Sequence, residues 1–300
     1  MMNSSILEVS NSQRLLFNNS FAPEFSVAQQ EIPESFYEKG YALMEEVINP
    51  DHAFAVLELL VSNLQEERLP SIAHFLPRLR LAKIDQIPVC KPVVHCTFQA
   101  LHFDMGHPLI EKLPQTLFGI TALYFPHGKQ AGTAKTRVVS LEKMLHQKKW
   151  GDRKMVEEKL LAYVEQYGDG WENMNTGRLA CFARIIDAMV GNEELLKFRD
   201  QRTDEWFFVG NDPTGEKSRQ LEVDFYARHG YDLNSVEELF QIQPGQMLII
   251  DNFRAVHGKM GKRQEGEIYQ FMYGIEHATE EDISLYRQYL VEQLGTVSRS

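Results

Sequence analysis

Cysteine is scarce. The 300 residues hold three, Cys90, Cys96 and Cys181, with no CxxC pair and one left over from any pairing. A disulfide framework is therefore not expected, and a reducing cytoplasm is the simpler setting. Long apolar runs are missing as well: nothing approaches the roughly 20 residues that a bilayer span requires. The opening MMNSSILEVSNSQRLLF lacks the basic stretch and continuous apolar core of a secretory signal. Positive charge is in deficit, with 31 Lys and Arg against 42 Asp and Glu and a net charge of -11. That balance argues against a nucleic-acid partner and against residence on an anionic membrane surface. No Gly-, Pro- or Ser-rich linker, internal repeat or low-complexity tract divides the chain, so residues 1–300 read as one domain behind an irregular polar arm over residues 1–30.

What is present is a mixture of helical and strand periodicities. In FYEKGYALMEEV a turn at Gly40 precedes a short apolar stretch. Asp51 is placed to cap HAFAVLELLVSNLQEERL, where Phe54, Leu57, Val61 and Leu64 recur at helical spacing. From residue 91 the character changes. KPVVHCTFQALHFD, QTLFGITALYFP and TAKTRVVSL are rich in β-branched and aromatic residues and read as strands. Residues 142–200 turn helical, with RKMVEEKLLAYVEQYG and TGRLACFARIIDAMVG both amphipathic. Strand character returns in EWFFVG (205–210), a helix is expected around SRQLEVDFYARHG, and QMLIID and EIYQFMYGI are strands. TEEDISLYRQYLVEQLG predicts a helix over 279–295, opened by Thr279 with Asp282 and stopped at Gly295. Strands at both ends with a helical stretch between them do not suit a doubly wound α/β sheet, which would alternate strand and helix. The pattern favours an α+β protein: a jelly-roll (cupin-like, double-stranded β-helix) core decorated by helices, with a helical insert over residues 142–235.

Chemistry concentrates in two places. In ALHFDMGHPL, His102 and Asp104 lie two apart, so on a strand both side chains project from one face. In PGQMLIIDNFRAVHGK, Pro244-Gly245 makes a turn, an apolar strand follows, Asp251-Asn252 ends it, and His257 stands six residues beyond Asp251. A nearby His and Asp plus one distant His is a set that a jelly roll can assemble, and two histidines with one carboxylate leave coordination positions open on a metal such as non-haem Fe(II).

These two stretches together resemble the Fe(II)/2-oxoglutarate-dependent dioxygenases, in particular the taurine dioxygenase and clavaminate synthase-like branch. The likeness covers residues 91–141 and 240–275, and KGYALMEEV is similar to the N-terminal strand of that branch. The resemblance implies Fe(II) held by His102, Asp104 and His257, with 2-oxoglutarate as cosubstrate and O2 as oxidant. Because Asp104 is present where related halogenases carry a small residue, it implies hydroxylation, with release of succinate and CO2. Thr136 corresponds to a hydroxyl contact of the cosubstrate's far carboxylate. An arginine is also expected, ten to fourteen residues after the distal histidine. The corresponding positions, Glu267 to Phe271, hold none, which leaves Arg263 as the expected anchor and Arg137 as a rival that strand alternation turns away from Thr136.

The expected substrate is a small molecule, such as an amino acid or a specialised-metabolite intermediate, with residues 142–235 serving as its cover and self-association left open. Desaturation, epoxidation or cyclisation would use the same iron site. A jelly-roll binding protein without catalysis is the alternative from another class, motivated by the displaced arginine. His107 is a candidate for a supporting role near the metal. His95, Cys96 and Cys181 are expected to be structural, and Trp171 and Phe207-Phe208 to line the cleft or the core.

Overall fold

Gly40, with φ +83°, ends the first helix and turns the chain into the first strand, as its place in EKGYAL suggests. The computed structural model describes residues 33–64, 68–69, 74–87, 97–104, 115–128, 132–148, 153–167, 182–190, 207, 209, 211–262 and 268–296. In chain order the elements are α1 (Glu34–Lys39), β1 (Tyr41–Met44), α2 (Pro50–Ser62), β2 (Arg80–Ile87), β3 (Phe98–His102), β4 (Thr116–Tyr124) and β5 (Lys135–Ser140). They continue with α3 (Leu141–Leu145), α4 (Arg153–Tyr167), α5 (Phe182–Val190), α6 (Glu216–Arg228), β6 (Glu237–Phe240), β7 (Met247–Asp251), β8 (Ala255–Met260), β9 (Ile268–Glu276) and α7 (Glu280–Thr296).

The strands form two sheets, ordered β1-β7-β4-β9-β2 and β3-β8-β5-β6, and every pairing is antiparallel. Counting β2 to β9 as strands one to eight, one sheet holds the first, eighth, third and sixth, and the other the second, seventh, fourth and fifth. That is jelly-roll connectivity, with β1 added to the edge of the larger sheet. It brings β3 beside β8 although more than 150 residues separate the two histidines they carry.

Period-two alternation assigns the two faces of the smaller sheet. Val138 and Ala255 point inward, into a core shared with Tyr41, Leu123, Leu248, Ile250 and Ile268. Val139 and Val256 point outward, into the larger core that includes Phe182 and Ile186 of α5 and Phe225 and Tyr226 of α6. Both helices pack against β3 from outside. Arg137 lies on this outer side, fully buried: its Nε donates to Glu237 at 2.6 Å and its Nη1 pairs with Glu222 at 2.6 Å. Glu222 in turn accepts the Leu101 N–H at 2.9 Å, and Arg219 donates to the second oxygen of Glu237 at 2.6 Å. These charges tie α6 to the back of the sheet.

Several boundaries differ from expectation. The cap of α2 is Asn49, whose side chain accepts the His52 N–H at 2.8 Å, with Pro50 in the first turn; Asp51 lies inside the helix. Proline's fixed φ suits that first position, which moves the start upstream. The capping box of α7 is formed: Thr279 accepts from the Asp282 N–H at 3.2 Å, and Asp282 accepts from the Thr279 N–H at 2.8 Å. The helix runs through Gly295 to Thr296 instead of stopping there. Of the strand expected at 205–210 only Phe207 and Val209 are described, and neither is in a strand; Phe207 is a core residue packed on Phe225. The arm at 1–30 lies outside the described residues. No helix among the described residues is long and apolar enough to cross a membrane.

Candidate metal centre

His102 ends β3 and His257 sits within β8, directly opposite it in the ladder, so the two imidazoles leave the same face of the sheet. Their ring centroids are 4.6 Å apart. A register shift in β3 between Gln99 and His102 precedes this pair, as bulges do where a side chain must be re-aimed. The strands approach closely here. Gly258, next to His257, lies so near β3 that a Cβ would fall 2.5 Å from the Gln99 carbonyl oxygen. Between the two candidate ligands of the first motif, Phe103 points the other way and packs edge-on against Phe182 of α5. Packing of that ring fixes the chain on which His102 and Asp104 stand.

Asp104 lies just past the strand and is held from the larger sheet. Its backbone N–H donates to Asn252 Oδ1 at 2.9 Å, and Asn252 Nδ2 donates to the Phe118 carbonyl at 3.0 Å. Its Oδ2 accepts a hydrogen bond from the buried Thr121 hydroxyl, and its Oδ1 lies 3.6 Å from His257 Nε2. Among the described residues these are the three that group as candidate metal ligands, with the donor atoms of His102, Asp104 and His257 all within 4.8 Å of one another.

The protonation pattern suits a cation. His102 Nδ1 lies 2.8 Å from the Ala100 carbonyl, which can only accept, so Nδ1 carries the proton and Nε2 presents its lone pair. The Gln99 side-chain nitrogen lies 3.2 Å from that Nε2. Burial lowers the His257 pKa to about 4, with His102 acting in the same direction and Asp104 opposing. A neutral His257, a His102 whose Nδ1 is engaged by a carbonyl, and a carboxylate with one oxygen tethered and the other facing the two imidazoles therefore fit a divalent metal.

The structure places Thr136 inside the roll. It is buried and lies in a narrow pocket with Phe125, Lys135, Lys259, Ile242 and Ile268. Arg137 is engaged on the outer face by Glu222 and Glu237, so the rival anchor is unavailable to the interior. Arg263, His107, His95, Cys90, Cys96, Cys181, Trp171 and Phe208 lie outside the described residues. Sequence reasoning missed Thr121 and Asn252, and did not single out Lys259, which lines the pocket with Thr136. Thr121 was signalled by the one aliphatic hydroxyl within the apolar LFGITALYF. Lys259 follows His257 by two positions, the same spacing that paired His102 with Asp104.

No protein-family model matches the chain, and no curated protein matches it. Among solved structures it is similar to a taurine dioxygenase from Burkholderia xenovorans, at 11% identity over 90% of this chain and 92% of that one, with a TM-score of 0.34. It is similar to an asparagine oxygenase at 10% identity, 81% and 76% coverage and a TM-score of 0.39. A third likeness is to the non-heme iron oxygenase OrfP in complex with Fe, at 14% identity, 79% and 77% coverage and a TM-score of 0.37. At this level of similarity, the reading of the site rests on the triad's own geometry.

Proposed function

We propose that the protein is an Fe(II)- and 2-oxoglutarate-dependent oxygenase that hydroxylates a small molecule. The observation that carries this reading is the convergence of His102, Asp104 and His257, two histidines and one carboxylate from distant parts of the chain, with donor atoms within 4.8 Å. Two histidines and a carboxylate on one face of a metal leave open positions, the arrangement used by non-haem Fe(II) oxygenases. Bound iron with 2-oxoglutarate and O2 supplies an oxidant able to convert a C–H group to C–OH, with succinate and CO2 as coproducts.

The chain's own groups prepare the site. Ala100 fixes the tautomer of His102, Thr121 holds one oxygen of Asp104, and burial keeps His257 neutral. Asp104 supports hydroxylation over halogenation, because the carboxylate occupies a position a halide would need. The acidic balance, net charge -11, supports a small-molecule substrate over a nucleic acid.

The test is direct. The protein is loaded anaerobically with Fe(II), given 2-oxoglutarate and then O2, and succinate is measured across a panel of free amino acids and related metabolites. Substrate-stimulated succinate with a substrate mass gain of one oxygen is expected. Absence of succinate under all conditions, together with no metal-dependent binding of 2-oxoglutarate, overturns the proposal.

A further inference from the structure

The smaller sheet carries a second inward-facing row beside the metal row. In the first, Val138 of β5, His257 of β8 and His102 of β3 stand side by side. Two residues along β8, Lys259 stands directly opposite Thr136 on one side and Gln99 on the other. Residues two apart on a strand share a face and are separated by about 6–7 Å, so Lys259 looks into the same interior as His257. The pocket there is lined by two lysines, Lys259 from near the end of β8 and Lys135 from the first position of β5, by the Thr136 hydroxyl, and by apolar walls from Phe125, Ile242 and Ile268. Lys135 precedes Thr136 by one residue, so strand alternation turns it away from the face that Thr136 and Lys259 share. The cation of the adjacent β5 position, Arg137, faces outward and is held by two glutamates.

The structure assigns Lys259, with Thr136, as the anchor for the far carboxylate of a 2-oxo diacid whose 2-oxo acid end faces His102, Asp104 and His257. This rests on the function proposed above and names the residue that selects the cosubstrate. An ammonium is a compact charge with three donors, so it can serve a carboxylate oxygen without the planar fork of an arginine. The Thr136 hydroxyl across the ladder supplies a further donor. The apolar walls favour a methylene chain between the two acid ends. A five-carbon diacid spans one row to the next; its monoacid counterpart would leave the ammonium facing a methyl group.

The experiment uses the full-length protein loaded anaerobically with Mn(II), titrated with 2-oxoglutarate and with 2-oxopentanoate, the five-carbon acid lacking the far carboxylate. Binding is read by calorimetry and by the Mn(II) electron paramagnetic resonance signal, without turnover. Wild type is expected to prefer 2-oxoglutarate by about tenfold or more, the size of one charge-assisted contact. Lys259→Met is expected to bring the two ligands to similar affinity while Mn(II) binding is unchanged, and Lys259→Arg to keep the preference. Thr136→Val, which preserves shape, reads the same pocket independently and should weaken 2-oxoglutarate alone by about threefold to tenfold. A full preference retained in Lys259→Met or in Thr136→Val overturns the assignment with the function intact, as does loss of the preference in Arg263→Ala with Lys259 present. Failure of Mn(II)-loaded wild type to bind either acid overturns the oxygenase reading itself, and the anchor with it.

Discussion

Replacing Asn252 with alanine tests whether the metal centre is built by a cross-sheet hydrogen bond. Asn252 is fully buried, accepts from the Asp104 N–H at 2.9 Å and donates to the Phe118 carbonyl at 3.0 Å. Alanine leaves both backbone groups without that partner in a site that excludes water. Each orphaned group costs about 1–3 kcal/mol, so the variant should lose roughly 2–6 kcal/mol of stability. A merely structural asparagine would show that loss and nothing more. If the bond sets the position of Asp104, Mn(II) affinity of the folded variant should also fall, by about 10- to 100-fold as for other groups that orient ligands. Asn252→Asp keeps an acceptor for the Asp104 N–H and loses the donor to Phe118, so it should retain more metal affinity than alanine if it folds. The assays are urea denaturation for stability and calorimetric Mn(II) titration well below the unfolding midpoint. A folded Asn252→Ala protein with wild-type Mn(II) affinity would refute the reasoning.

Three further outcomes are expected. Thr121→Val, which keeps shape but removes the donor to Asp104 Oδ2, should weaken Mn(II) binding by about 10-fold or more, with Thr121→Ser restoring most of it on calorimetric titration. Arg137→Met should cost about 3–5 kcal/mol in urea denaturation by leaving Glu222 charged and buried without its cation, and adding Glu222→Gln should recover part of that loss. Burial raises the Asp251 carboxyl to about 6, against Arg254 and two backbone N–H groups, so the folded state holds its proton more tightly than the unfolded chain. Its contribution is therefore fully present below about pH 4 and is lost as pH rises to about 6, a change of roughly 3 kcal/mol. Asp251→Asn keeps an acceptor for the Phe253 N–H, so the difference in stability between variant and wild type should shift in the variant's favour by about that amount from pH 4 to pH 7, and an unchanged difference would contradict it.

The parts of the fold legible in the sequence are those where one residue pattern dominates locally. β4, β7 and β9 are long or apolar enough to stand out, and α7 carries its start signal in Thr279 and Asp282. Less visible were β2, whose Arg-Leu-Ala-Lys breaks alternation where the register shifts between Leu81 and Lys83, and β6, a polar four-residue edge strand partnered by β5 alone. Their strand state comes from pairing with distant neighbours, which no local window contains. Within EWFFVG the described residues Phe207 and Val209 are not in a strand for the complementary reason: aromatic residues suit a strand, yet Phe207 is used to pack on Phe225. The His102, Asp104 and His257 grouping was legible because the two stretches that carry it resemble a known family; spacing alone suggested only that His102 and Asp104 could share a face. The groups that orient those ligands were not, because Thr121 and Asn252 reach Asp104 across sequence separations of 17 and 148 residues.

Strand alternation also explains why the expected arginine was hard to place. β5 and β8 each present successive residues to opposite environments, an interior beside the candidate metal ligands and an exterior covered by helices. A cation next to Thr136 in sequence, Arg137, is by that fact on the wrong face, and the buried Glu222 and Glu237 waiting there confirm the side it occupies. Lys259 is two positions from His257 and opposite Thr136, so ladder register places it with them although no contiguous motif does. Moving the charge by one residue, as in Lys259→Met with Gly258→Lys, would put an ammonium on the exterior face and a side chain where a Cβ already comes within 2.5 Å of the Gln99 carbonyl oxygen. The face a residue occupies, more than its distance along the chain, therefore determines which cation a ligand in this interior can meet.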